Sequence, residues 1–233
     1  MKILLIETAT SVCSVALAEK GRIVARHESD APNAHSTQLP LFIKDLLSAS
    51  YSPHTILDAV CVSAGPGSYT GLRIGVSSAK GLCYALDVPL LSVPTLLGMA
   101  SLYYMQHPDY RGLVCPMIDA RRMECYTMIA KHDELGVRIL RDTQADVITE
   151  YIYDEWLDKD VVTFIGDGAS KTRDLLGGHP NARYDDSYRS AAEGMLPIAE
   201  EKLARGEHED VAYFEPFYLK DFVAKKSVVH GLR

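Results

Sequence analysis

The stretch VSAGPGSYTGLRIG, Val62 to Gly75, leaves an apolar strand pattern (DAVCVSA, 58–64), turns through Gly65-Pro66-Gly67 and enters a helix pattern. Glycine turns before helices are ready anion sites, because unpaired backbone N–H groups point outward there. Two phosphate motifs can be tested by spacing. A Walker A loop needs a lysine and a hydroxyl directly after its last glycine. Here Gly67 and Gly71 stand three residues apart and Leu72-Arg73 follows. A dinucleotide fingerprint needs G-x-G-x-x-G, and Gly65, Gly67 and Gly71 span one residue too many. The turn therefore reads first as a tight strand-to-helix junction. Pro66 would fix φ and the glycines would take conformations closed to other residues.

At ~100° per residue, the helix after the turn has three faces. Leu72, Val76, Ala79, Cys83 and Leu86 form an apolar stripe; Arg73, Ser77, Lys80 and Tyr84 form a polar one. The third face, Gly71, Ile74, Gly75, Ser78, Gly81, Leu82 and Ala85, is small and mostly apolar. A surface helix normally has one apolar face, so two imply burial on two sides. The second side is either a subunit interface or packing within the chain.

The chain of 233 residues is 47% hydrophobic and 24% charged, the composition of a globular protein large enough for two small lobes. A net charge of −7 makes it a poor nucleic-acid binder by itself. The cysteines (Cys13, Cys61, Cys83, Cys115, Cys125) form no C-x-x-C pair and read as buried small residues in a reducing compartment. The apolar run before Glu7 is too short for a signal peptide, and no segment approaches the ~18 apolar residues of a membrane span. A cytoplasmic location is expected.

Strands are expected at 2–8, 14–19 and 21–29, then a helix at 38–50 with Pro40 in its first turn. A strand at 58–64, a helix at 70–86, a strand at 89–93 and a helix from Pro94 to Met105 follow. The polar stretch QHPDYRG (106–112) marks a boundary. Beyond it come strands at 112–120, 123–131 and 136–141, a helix at 145–158, a strand at 161–166, and helices at 170–176 and 190–205. Strands followed by alternating helices and strands occur in both halves, which suggests a duplicated α/β domain. The division is 1–107 and 108–233, with packing of the C-terminal segment back on the first lobe left open.

Catalytic sets are sparse. No two histidines lie three or four residues apart, so no helical metal pair exists. Glu7, followed by Thr8, Thr10 and Ser11, could hold Mg²⁺ through water beside a phosphate, or equally cap the turn. Asp167, in FIGDGAS (164–170), sits in a second glycine-bearing strand-to-helix turn. His35 reads as a surface or cap residue. There is no G-x-S-x-G elbow.

Four segments, IETATSVCSVAL, HSTQLPLFI, SAGPGSYTGLRIGVSSAKGL and FEPFYLK, together resemble the TsaB (YeaZ) family, bacterial dimerisation subunits of tRNA threonylcarbamoyladenosine synthesis. The resemblance covers the first half almost completely and thins to GDGA and the terminal P-x-Y-L-K in the second. It implies the two-lobed actin/Hsp70/sugar-kinase-like (ASKHA) fold. Relatives with that fold carry Asp and Gly in the first-strand turn, where this chain has Glu7-Thr8-Ala9-Thr10. Catalytic TsaD relatives carry an H-x-x-x-H metal pair, whose positions fall here on Thr95 and Met99. Neither replaces a histidine ligand.

The resemblance thus implies a noncatalytic scaffold with no cofactor of its own; ATP or ADP and metal would enter only in a complex. Its implied partners are a TsaD-like catalytic subunit and a TsaE-like ATPase, with tRNA met only through the complex and a homodimer formed when alone. Leu39, Phe42, Gly71, Ile74, Gly75, Ser78 and Leu82 are the expected interface residues. Gly75→Arg is expected to block pairing while leaving the chain folded. Two other functions compete: an active small-molecule kinase or ATPase using Glu7 and Asp167, and a metallopeptidase. The basic residues Lys220, Lys225, Lys226 and Arg233 read as solvated.

Overall fold

A computed structural model of the chain describes residues 1–49 and 57–220. The first half gives β1 (Lys2–Glu7), β2 (Cys13–Glu19), β3 (Arg22–Ser29), α1 (Ala34–Thr37), α2 (Leu39–Ala49), β4 (Ala59–Ser63), α3 (Tyr69–Leu86), β5 (Leu90–Val93) and α4 (Thr95–Gln106). The second gives β6 (Leu113–Asp119), β7 (Glu124–Asp133), β8 (Gly136–Val147), α5 (Asp154–Leu157), β9 (Val162–Ile165), α6 (Arg173–Leu176), β10 (Ala182–Asp185) and α7 (Leu196–Arg205).

Each half builds a five-stranded sheet of the same plan. The orders are β3-β2-β1-β4-β5 and, read from the matching edge, β8-β7-β6-β9-β10. In both, the first three strands form an antiparallel meander and the last two run parallel to the first. This is the duplicated two-lobed α/β fold. β1 shows why its sequence is apolar throughout: the central strand is covered on both faces. Leu4 and Ile6 pack with Leu39, Val76 and Cys83 on one side. Ile3 and Leu5 pack with Met195, Leu196 and Ala199 on the other. Edge strand β3 instead alternates exposed and half-buried residues.

The covering helices are exchanged between halves. α4 lays Leu96, Met99 and Tyr103 against Val114, Ile118 and Met128 of the second sheet. The 3-10 turn Ala192–Met195 and α7 return to cover the first sheet. The boundary at 107/108 therefore divides the strands five and five but not the layers. The two exchanged elements meet at Gly98 and Gly194, where a Cβ on Gly194 would run into the Gly98 carbonyl.

Three expectations are corrected. The helix placed at 145–158 is the end of β8 followed by the single turn α5. Asp146 explains the difference. Both its oxygens accept from Arg141 (2.6 and 2.7 Å), and Oδ2 also accepts from the hydroxyls of Thr127 and Tyr153, which holds the backbone in the ladder. Strand β10 was not expected, and the helix at 190–205 starts only at Leu196, with Pro197 in its first turn. α2 starts at Leu39 with Pro40 in its first turn, and its expected end at Ser50 lies outside the described residues. All five cysteines are free and buried; burial pushes the thiols of Cys13, Cys83 and Cys125 up to about 11. No described helix is long and apolar enough to cross a membrane.

Candidate functional site

The Gly65–Ser68 turn is held from below and from the side. Gly65 adopts φ 106°, and Gly65–Pro66 is a cis peptide bond. The Gly65 N–H donates to the Thr95 hydroxyl (3.1 Å), and the Thr95 N–H donates back to the Gly65 carbonyl (2.9 Å). Thr95, where the catalytic relatives are expected to carry a metal ligand, is thus a buried tie for the turn. Met99, one helical turn on, is also buried; its methyl group lies against Gly166 and its carbonyl accepts from the Tyr188 hydroxyl (3.0 Å). Among the described residues, no group of three or more His, Cys, Asp and Glu side chains could hold a metal ion.

The helix side of the turn rests on the β1–β2 turn. Ser68 caps α3, its hydroxyl accepting from the Gly71 N–H (3.2 Å), while the Ser68 N–H donates to the Ala9 carbonyl (2.7 Å). A Cβ on Gly67 would meet the Ala9 Cβ at 2.7 Å; on Gly71 it would meet the Thr8 carbonyl, and on Gly75 the Thr8 hydroxyl. These glycines let α3 lie directly on the first turn.

That contact corrects part of the expected interface. Gly71 and Gly75 are buried inside the chain, and Leu39 is buried in the core beneath α2. Ile74, Ser78 and Leu82 form a half-buried row along α3, Ile74 and Leu82 packing partly against the first core. Half-buried Phe42 of α2 stacks on His27 with centroids 5.1 Å apart. Gly81 lies beside the row, and a Cβ there would meet nothing within 4 Å. Leu41, Tyr84 and Leu86 are exposed on the same two helices.

Between the lobes lies a cleft of about 750 Å³. Its walls include Thr10, Ser11 and His35, the α3 entry Gly67–Thr70, Asp119–Arg121 and Asp167 from the second lobe, and Tyr218–Lys220. Asp167 accepts from the Asp119 N–H (3.0 Å), and burial raises its carboxyl above the ordinary value despite that bond. Glu7 is not in the cleft wall. It lies 2% exposed under the turn, accepting from the Ala9 N–H (2.6 Å). Burial pushes its carboxyl up to about 7, partly offset by the Ala9 amide, the Ser63 hydroxyl and the Thr8 amide. The fold thus brings Asp167 to the cleft and leaves Glu7 beneath it. His35 reaches the cleft wall, and burial holds its imidazole below the ordinary value against bonds with the Thr10 and Val12 backbone.

Sequence reading missed Asp119, Arg121 and the Tyr218–Lys220 stretch as cleft residues. They share no motif, and only folding joins the β6–β7 hairpin to the C-terminal segment. One signal was present. The hairpin turns at Arg121 and Arg122 with φ of 73° and 51°, where Asn-Gly is the usual choice. Lys225, Lys226 and Arg233 lie outside the described residues.

Comparison with known proteins places this geometry. The family model described as "TsaD: tRNA N6-adenosine threonylcarbamoyltransferase" matches residues 27–228. The "tRNA threonylcarbamoyladenosine biosynthesis protein TsaB" of Escherichia coli (strain K12) is 35% identical over 98% of this chain and 98% of its own length. A "tRNA N6-adenosine threonylcarbamoyltransferase" of Fervidobacterium nodosum is 29% identical, covering 64% of this chain and 48% of its own. A solved structure from Pseudomonas aeruginosa, titled as an uncharacterized protein with similarity to peptidase YEAZ, superposes with a TM-score of 0.82 at 29% identity. It covers 94% of this chain and 99% of its own.

Proposed function

The chain belongs to the TsaB (YeaZ) family, and from that premise we propose that it is the noncatalytic pairing subunit of a tRNA threonylcarbamoyladenosine-forming complex. Its catalytic partner is a TsaD-like subunit that transfers threonylcarbamoyl from its adenylate to N6 of adenosine 37, in tRNAs reading codons that begin with A. A TsaE-like ATPase assists, and tRNA is met only through the complex, in the cytoplasm. Nucleotide and metal enter with the partners. Alone, the chain pairs with itself through the same face.

The observation that carries this reading is the outer side of α3. Gly81 sits in the middle of an 18-residue helix with open space where its side chain would be. Packing among the described residues gives no reason for a glycine there, and glycine costs a helix interior roughly 0.8–1 kcal/mol relative to alanine. A partner helix approaching closely beside Ile74, Ser78 and Leu82 supplies the reason. Phe42 and Leu41 extend the same surface onto α2. Leu39, Gly71 and Gly75 act from beneath, by seating the two helices.

Two variants test this. Gly81→Ala is expected to stabilise the isolated chain by about 0.5–1 kcal/mol, while weakening association with a TsaD-like subunit in a titration calorimeter. Leu82→Arg is expected to weaken association about 30-fold or more, the scale of an interface anchor, measured well below a melting temperature that falls somewhat because Leu82 also packs partly against the first core. Leu135→Arg, at a position 98% exposed in the second lobe, is the control. Wild-type affinity in both α3 variants would remove this face from the interface.

A further inference from the structure

The described chain ends in a segment that runs back along the first lobe and then crosses to the second. The Glu209 N–H donates to the Leu90 carbonyl (2.8 Å) at the sheet edge. Lys80 of α3 reaches up to bind the carbonyls of Ala212 (3.1 Å) and Phe214 (3.0 Å). The Phe217 N–H donates to the Ala64 carbonyl (2.7 Å), extending the end of β4. The Phe217 carbonyl then lies against Gly65, where any Cβ would collide with it. Next, the Tyr218 ring tilts onto Tyr69 of the α3 entry, centroids 4.8 Å apart. Finally Lys220 pairs with Glu124, the first residue of β7, beside the turn of the second lobe's β6–β7 hairpin.

Tyr218, Leu219 and Lys220 thereby become part of the wall of the 750 Å³ cleft. The Tyr218 hydroxyl is buried there with no hydrogen-bond partner among the described residues. The two ends of the lobe junction differ in kind. At its base, α4 and the 192–205 stretch interlock through close-packed backbone at Gly98 and Gly194. At its mouth, the segment's hold on the second lobe is an ion pair whose side chains are 40% and 22% exposed. A close-packed base resists shear, whereas a partly exposed ion pair in water holds only weakly. That asymmetry is the construction of a hinge with a releasable latch.

We propose that residues 211–220 are a latch, anchored on α3 and closed on the β6–β7 hairpin by the Lys220–Glu124 pair, whose release opens the interlobe cleft. The anchor contacts on the first lobe, the Tyr218–Tyr69 stack included, stay made in both states; the Lys220–Glu124 pair separates. This concerns the chain by itself and does not depend on the partner subunit.

Hydrogen exchange of the full chain tests it, with Lys220→Glu, Glu124→Lys and the exchanged pair carrying both changes. Each single reversal is expected to speed exchange about fivefold in the cleft-wall peptides 68–72 and 119–126, with α7 unaffected. The doubly exchanged chain, which restores an ion pair of opposite sense, is expected to return to within about twofold of wild type. Unchanged exchange in the single variants would overturn the latch. So would failure of the double exchange to restore protection, or acceleration spread evenly over α7 and the cleft, which signals general destabilisation.

Discussion

Gly75→Arg is expected to unfold the chain rather than merely separate it from a partner. The small face of α3 is split by the fold: Gly71 and Gly75 turn toward the β1–β2 turn, while Ile74, Ser78 and Leu82 are only half-buried and Gly81 is exposed. A Cβ at residue 75 already intrudes on the hydroxyl of Thr8, a fully buried residue. Beyond that Cβ, arginine adds two further methylenes and a charged guanidinium with no route to water along that contact. Overpacking together with an unpaired buried cation costs about 4 kcal/mol or more, close to the whole stability of a marginal domain. Gly81→Arg, on the same helix with open space around it, is expected to fold normally. Circular dichroism melts of the two variants decide the matter. A folded Gly75→Arg chain with a wild-type melting temperature would mean that α3 is not seated on Thr8.

Stability is also expected to fall as pH rises, because of Glu7. Its carboxyl is held at about 7 by burial, against the ordinary 4.5. Below 4.5 the folded and unfolded chains both carry the proton, and nothing is lost. Between 4.5 and 7 the unfolded chain has released a proton that the folded chain keeps. Unfolding therefore becomes easier by about 1.4 kcal/mol for each pH unit in that window. Above the window both states are ionised and the loss levels off at about 3 kcal/mol. Glu7→Gln removes this titration while keeping an acceptor for the Ala9 amide. The difference between urea denaturation midpoints of wild type and variant at pH 5 and pH 8 isolates Glu7 from every other group. Parallel profiles would show that the carboxyl is not desolvated.

How far the sequence reveals this molecule differs from element to element. The β1 run KILLIE and the α3 pattern were legible because burial on two sides leaves few polar positions to confuse the period. The repeat was legible in part. Strand β10, ARYD, is a four-residue edge whose pattern is no stronger than a loop's, so the second sheet read one strand short. The helix expected at 145–158 is displaced by the buried Asp146. Its burial depends on Arg141 earlier in β8, on Tyr153 seven residues on, and on Thr127, which meets it through the β7–β8 pairing. The glycine turn was read correctly as a junction, but its reason was hidden: the contacts that require Gly67, Gly71 and Gly75 come from Thr8 and Ala9, some sixty residues earlier. Of the cleft, the glycine turn, Thr10, Ser11, His35 and Asp167 attracted notice, while Lys220 read as a solvated residue. The hairpin and the C-terminal stretch complete it through tertiary approach alone.

The most direct measurement is light-scattering chromatography of the chain, alone and mixed with a TsaD-like subunit, with and without ATP, followed by an ATPase assay on each fraction. A new one-to-one species, lost with Leu82→Arg and kept with Leu135→Arg, is the expected result, with no nucleotide turnover by the chain alone. The absence of any complex, together with ATP hydrolysis by the isolated chain that falls when Asp167 is changed to Asn, would contradict the pairing role and place an active site in the cleft.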